Sequence, residues 1–197
     1  MNIEDNLPNS YENLDQTLDA AHKILDDAVG NTKTLFHTLV VSSYDGNSIS
    51  SRVMVLREFD LTKRIMRFHT DKRALKIKHF SELPTSTVLG YDPDLKIQIK
   101  LQGKISIHLD DSISEDAWNG STSRSKKCYS VKGGSTKEIE DPQEYDIEDF
   151  NVEDGYKNFA VLMFKFKSLE FLYLKSSGHR RAIHRWDENK TSTWLVP

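Results

Sequence analysis

Three segments far apart in this chain each carry guanidinium or ammonium groups: SRVMVLRE, with Arg52 and Arg57; FHTDKRALK, from Phe68 to Lys76; and GHRR, from Gly178 to Arg181. A phosphate monoester carries about two charges at neutral pH. Arginine's planar fork can hold two of its oxygens while a hydroxyl donates a third bond. Arg52, Thr70 and Lys76 supply such a donor set, which suggests a site for a multiply charged anion such as a phosphate ester. Strand periodicity puts Arg52 and Arg57 on opposite faces unless a bulge intervenes. On spacing alone, the plainer reading is that these are solvated charges on strand edges. Gln98, in IQIKLQG, carries an amide with both donors and an acceptor, suited to a planar heteroaromatic ring or simply to water. His69, His179 and His184 fit no metal-ligand spacing, so no metal site is expected. Trp118, Trp186 and Trp194 read as core or interface.

Positioning these groups falls to a chain that opens with a helix and continues in strands. Leu14, Leu18, Ala21, Leu25 and Ala28 recur at helical spacing, and Gly30 stands where a left-handed cap would end that helix. TLFHTLVVSSYDGNSISSRVMVLREF reads as two strands joined at Asp45-Gly46, a pair that tolerates the positive φ of a tight turn. RIMRFHT is a third strand, and KRALKIKHFSEL a helix capped by Thr70 or Asp71. TSTVLGY is a fourth strand. LKIQIKLQGKISIHL is a long fifth one, in which Gly103 lets the ladder bend. ISEDAWNG is a short helix with Ser114 as its expected cap. Residues 121–158 show no periodicity: a basic GSTSRSKKCYSVKGGSTK precedes a strongly acidic stretch, and a connection this long is expected to be functional or mobile. FAVLMFKFKSLEFLYL, RRAIHRW and STWLVP supply the last strands. Hairpin-linked strands with few short helices predict a mainly β fold with flanking helices, an antiparallel barrel of six to eight strands closed to remove its edges.

Composition sets the frame. At 197 residues the chain is expected to form one domain with a substantial core. A net charge of −3 provides no global field for nucleic acid or anionic lipid. The single cysteine, Cys128, cannot form an internal disulfide, and a reducing compartment follows as the simpler expectation. The polar, acidic amino terminus does not read as a secretory signal, and no apolar run approaches the length of a membrane span, so a cytoplasmic location is expected.

The order of the pieces carries more than any one of them. RVMVLR, then FHTD with Lys76 beyond it, then IQIKLQG, LEFLYL, HRR and WLVP resembles the pyridoxamine 5'-phosphate oxidase family. The likeness is greatest to its divergent FMN-binding relatives, and it runs from about Thr34 to Pro197. It implies an FMN-binding split barrel acting as a homodimer, with the flavin between the subunits. The strand from Arg52 through Val53, Met54, Val55 and Leu56 to Arg57 would meet the cofactor. So would His69 and Thr70, in place of the family's tyrosine and threonine, and Lys76, with Arg73 compensating for a family arginine replaced by Leu75. Gln98 would face the isoalloxazine together with Arg180 or Arg181. His179 and Arg181 would stand near the substrate as catalytic residues.

Departures concentrate on substrate positions. Ala74 and Leu75 stand where the oxidase has serine and arginine, and Leu172 where it has tryptophan. HRR from His179 replaces its Arg-Leu-His. In WNGSTSRSKKCYS only Arg124 or Ser125 is available for the residues that hold the substrate's phosphate. The resemblance thus implies an oxidoreductase passing a hydride between FMN and an unidentified small substrate, or alternatively a flavin-binding or sensing protein without turnover. A barrel binding nucleic acid through SRSKK and the Lys72 to Lys78 helix is a third reading, opposed by the net negative charge.

Overall fold

The computed structural model describes residues 7–145 and 152–197; the first residues of the acidic amino terminus and part of the acidic stretch fall outside them. Eight strands form one antiparallel sheet: β1 (Thr38–Tyr44), β2 (Ile49–Asp60), β3 (Ile65–Asp71), β4 (Thr85–Asp92), β5 (Ile97–His108), β6 (Phe159–Tyr173), β7 (Arg180–Trp186) and β8 (Lys190–Leu195). They are ordered β3-β2-β1-β4-β5-β6-β7-β8, and β3 also pairs with β6. That pairing closes β1 to β6 into a six-stranded barrel and leaves β7 and β8 as an extension of its wall. The expected fold class holds.

Alternation drives closure. Leu39 and Val41 on β1, Met54 and Leu56 on β2, Met66 and Phe68 on β3, and Ile97, Ile99 and Leu101 on β5 are all buried, facing Phe164, Phe166 and Phe171 of β6. The Asp45-Gly46 turn forms as expected, with Gly46 at φ 95°. Gly103 sits where the β5–β6 register slips, Gln102 pairing with Ser168 and Gly103 with Phe166. A methyl group at Gly103 would overlap the Lys165 carbonyl oxygen, so only glycine allows the two backbones this close.

Helix α1 (Leu14–Gly30) buries Leu18, Ala21, Ile24, Leu25 and Ala28. Its start is a capping box between Asn13 and Gln16. Its end differs from expectation: Gly30 is not left-handed, and the extended Asn31 closes the helix by donating its backbone N–H to the Asp27 carbonyl. Helix α2 (Leu75–Glu82) has Ala74, not Thr70 or Asp71, at its N-cap, because Asp71 is engaged with Arg73. In α3 (Ser112–Asn119) Ser114 is the third helical residue, and Asp111 is the cap whose carboxylate accepts its N–H. The stretch without periodicity holds two short helices, α4 (Ser123–Lys127) and α5 (Val152–Tyr156). Trp118, Tyr129, Phe159 and Val161 pack there as a second small core.

Candidate functional site

Arg52 shares the inward parity of Met54 and Leu56 on β2, but its guanidinium is only half-buried. Nη1 donates to the Val41 carbonyl at 3.2 Å and to Ser43 Oγ at 2.9 Å across the β1 pairing. Thr70, the last inward residue of β3, accepts a hydrogen bond from Lys76 Nζ at 3.1 Å. Lys76 lies in the first turn of α2. Burial holds the Arg52 guanidinium below its ordinary range. It lowers Lys76 as well, reinforced by the Arg52 charge and opposed by Asp71. Among the described residues neither cation makes an ion pair. Two partly desolvated positive charges beside a hydroxyl form an electropositive corner that favours a compact anion more than fully hydrated lysines would.

The corner opens on a cleft of about 400 Å³ lined by Ser50, Arg52, Lys76, His79, Ser135 and Thr136. A neighbouring cleft of about 490 Å³ shares Lys76, Ser135 and Thr136 and adds Thr70, Asp71 and Tyr129. Sequence reading missed Ser135 and Thr136, which it left in a flexible stretch. The available signal was GGST: Gly134 lies so close to Arg73 that a Cβ would meet the Arg73 backbone and side chain. Arg73 itself is a tether. Its guanidinium grips the Asp71 carboxylate, 2.6 Å at the closest, and donates to the Val131 carbonyl at 3.0 Å. It fastens the loop and does not join the corner.

Arg57 and His69 stand elsewhere. A register slip between Leu56 and Glu58 makes Arg57 a bulge residue, and it lines a separate pocket with Arg67, His69, Ser121, Thr122 and Ser125. Arg57 Nε, Arg67 Nε and His69 Nε2 are buried there without hydrogen-bond partners among the described residues. Burial, with Arg67 and Arg57 nearby, pushes the His69 imidazole down to about 3, so it is neutral at physiological pH. The basic groups grouped by sequence therefore divide between two pockets. Between them on β2, Met54 and Leu56 turn their side chains into the core, leaving only backbone to any ligand, whereas Val53 is 64% exposed on the outer face.

Residues 19–109 match the family model described as pyridoxamine 5'-phosphate oxidase, FMN-binding domain. That segment is similar to the FMN-binding domain of the pyridoxamine 5'-phosphate oxidase family. No curated protein sequence matches the chain. Among solved structures, it is similar to a pyridoxamine 5'-phosphate oxidase-related, FMN-binding protein from Nostoc punctiforme. The TM-score is 0.74 at 16% identity, over 95% of this chain and 100% of that one. It is also similar to PhzG from Burkholderia lata, solved with tetrahydrophenazine-1-carboxylic acid, at a TM-score of 0.67 and 19% identity over 82% of each chain. A protein from Clostridium acetobutylicum related to general stress protein 26 gives 0.56 at 12% identity, over 84% of this chain and 93% of that one. At these identities the shared property is the fold, the FMN-binding split barrel.

The positions that the resemblance led us to expect beside a flavin ring lie on the outer face of the same sheet. Gln98 is paired with Leu172, and Leu172 with Arg181, so the three form one cross-strand row. The Gln98 amide has no hydrogen-bond partner among the described residues. Arg181 is committed: Nε and Nη2 donate to Glu170 Oε1 at 2.9 and 2.5 Å, while Lys100 Nζ meets Oε2 at 2.7 Å. Burial pushes the Glu170 carboxyl up, but those bonds outweigh it and hold the group below its usual value. Among the described residues the Arg180 guanidinium bonds only the carbonyls of Gly178 and His179. Its pocket also holds Glu12, His179, Arg181 and Trp194. Around the closed barrel, β5 and β7 each lie three strand spacings, roughly 14 Å along the wall, from β2, and Gln98 and Arg181 face outward where Arg52 has inward parity. One chain does not bring Gln98 and Arg181 to the Arg52 corner.

Proposed function

We propose that this chain is an FMN-binding flavoprotein of the oxidoreductase type. Arg52, Thr70 and Lys76 would hold the ribityl phosphate, assisted by the hydroxyls of Ser135 and Thr136. The observation that carries this reading is the pair of half-buried cations at Arg52 and Lys76, which make no ion pair among the described residues, set beside Thr70. Their chemistry fits a phosphate monoester, since each cation can give charge-assisted bonds to its oxygens. From Arg52 to Arg57 the strand spans roughly 17 Å, comparable to an extended flavin mononucleotide. The exposed Val53 offers an apolar surface against which the ring would lie, with Val55, Arg57 and His69 farther along.

Gln98 and the arginine pair would then come from a second copy of the chain, in a homodimer joined across this sheet face. Two-fold pairing makes such a surface self-complementary. Of the two arginines, Arg180 is the better ring partner, because Nε and Nη2 of Arg181 are already hydrogen-bonded to Glu170. When bound, the flavin supplies hydride chemistry, and the protein supplies position, charge and exclusion of water. His179, whose Nδ1 accepts the Lys175 N–H at 3.0 Å, keeps Nε2 for a small substrate. No helix among the described residues is long and apolar enough to cross a membrane, and the exposed thiol of Cys128 suits a reducing cytoplasm.

A second reading, flavin binding or sensing without turnover, is favoured by one observation: Glu170 engages the guanidinium of Arg181 at the position where a substrate clamp would be needed. Purification followed by visible absorbance tests the common claim. A yellow protein, or one that takes up added FMN, is expected, and a colourless chain that ignores FMN would refute both readings. Bleaching by pyridoxine 5'-phosphate or by a reduced nicotinamide would identify an enzyme.

A further inference from the structure

We infer that His79 is a positioning residue for the anion corner, acting on Arg52 through Ser43. This rests on the reading of that corner as a phosphate grip. His79 and Lys76 lie three residues apart on α2 and line the same cleft, so one helical face presents both. His79 is buried, 6% exposed, and Ser43 behind it is 2% exposed. Ser43 Oγ accepts from Arg52 Nη1 at 2.9 Å and lies 3.2 Å from His79 Nδ1. With Oγ engaged as an acceptor, the one hydroxyl proton has Nδ1 as its partner. The network is fully satisfied in the tautomer in which Nε2 carries the hydrogen, and we assign that one.

The consequence concerns aim. Nη1 is fixed by two acceptors, Val41 O and Ser43 Oγ, which leaves Nε and Nη2 of Arg52 free to meet two oxygens of an anion as a fork. Without an acceptor at Nδ1, Ser43 can turn its proton toward the guanidinium, where two hydrogens face each other and the fork swings out of line. In this inference both residues act on the anion through the aim of Arg52.

Five variants and two probes decide the matter. FMN binding is followed by quenching of flavin fluorescence. Sulfate, whose charge is constant near neutral pH, is followed by thermal protection against chloride at matched ionic strength. His79→Phe and Ser43→Ala should each weaken both probes about 5-fold, the worth of one orienting hydrogen bond. The combined variant should be no weaker than either, since both break one relay. His79→Asn puts an amide oxygen where Nδ1 was and should recover native binding within about 2-fold, whereas His79→Gln, whose amide reaches the Nε2 position, should not. Additive losses, no loss from Ser43→Ala, or equal rescue by Asn and Gln would overturn the inference. A native chain that binds sulfate through Arg52 but not FMN would refute the flavin reading alone, with sulfate then deciding the role of His79. A native chain that binds neither would end both.

Discussion

Replacing Arg52 isolates the phosphate grip from every other contact with a flavin. In the folded chain Nη1 is occupied by Val41 O and Ser43 Oγ, so at most Nε and Nη2 remain for the ligand. Two charge-assisted hydrogen bonds, each worth about 1.5 kcal/mol at a half-exposed position, give about 3 kcal/mol, or roughly 150-fold in Kd. Arg52→Gln should show that loss for FMN. Arg52→Lys keeps the charge without the fork and should lose about tenfold. Riboflavin, which has the same ring and ribityl chain but no phosphate, should bind native and variant alike. Titration of both flavins by fluorescence quenching gives the comparison, and far-ultraviolet dichroism checks folding. An Arg52→Gln protein with native affinity for FMN, or one that loses riboflavin equally, would refute the assignment.

Other outcomes follow from the same contacts. His184, fully buried between Thr17 Oγ1 and Ser192 Oγ, is pushed down to about 4 by burial and by Lys190. The unfolded chain takes up this proton near pH 6.5, so stability should be intact above that value and fall by about 3 kcal/mol as pH drops towards 4. Urea midpoints of native and His184→Gln proteins at pH 7.5 and 4.5 measure it, and equal pH slopes would contradict it. Gly103→Ala should cost at least about 3 kcal/mol in urea unfolding, because the Lys165 backbone cannot yield. Val53→Glu, on the face through which two copies would join, should give a folded monomer by sizing with little flavin.

The fold was legible because its signals are local. Strands β1, β3, β4 and β5 alternate, Asp45-Gly46 marks a hairpin, and Gly103 marks a bend. What was not legible depends on competition between partners. Asp71 is a good cap by type, but Arg73, two residues on, engages its carboxylate, and Ala74 takes the cap position without a side-chain bond. Arg52, Thr70 and Lys76 do converge, which their spacing permits. Arg57 and His69 do not join them. The slip beside Leu56 and the outward parity of His69 send both to another pocket, and no periodicity argument could rank a bulge at Arg57 above a regular strand. Ser135 and Thr136 escaped notice because their placement depends on Arg73 holding Val131, a contact across 58 positions of sequence.

Closure of the barrel by β3 against β6 brings Thr70 opposite Ala160. During synthesis, the corner that contains Thr70 thus stays half-walled until the ribosome has released most of the polypeptide. A nascent chain can assemble β1, β2 and β3 as neighbours early, yet it has no template for the last seam. Such distant pairing slows folding and leaves β3 with a bare edge meanwhile. Cofactor capture belongs at the end of this chain's maturation, after the final strands arrive.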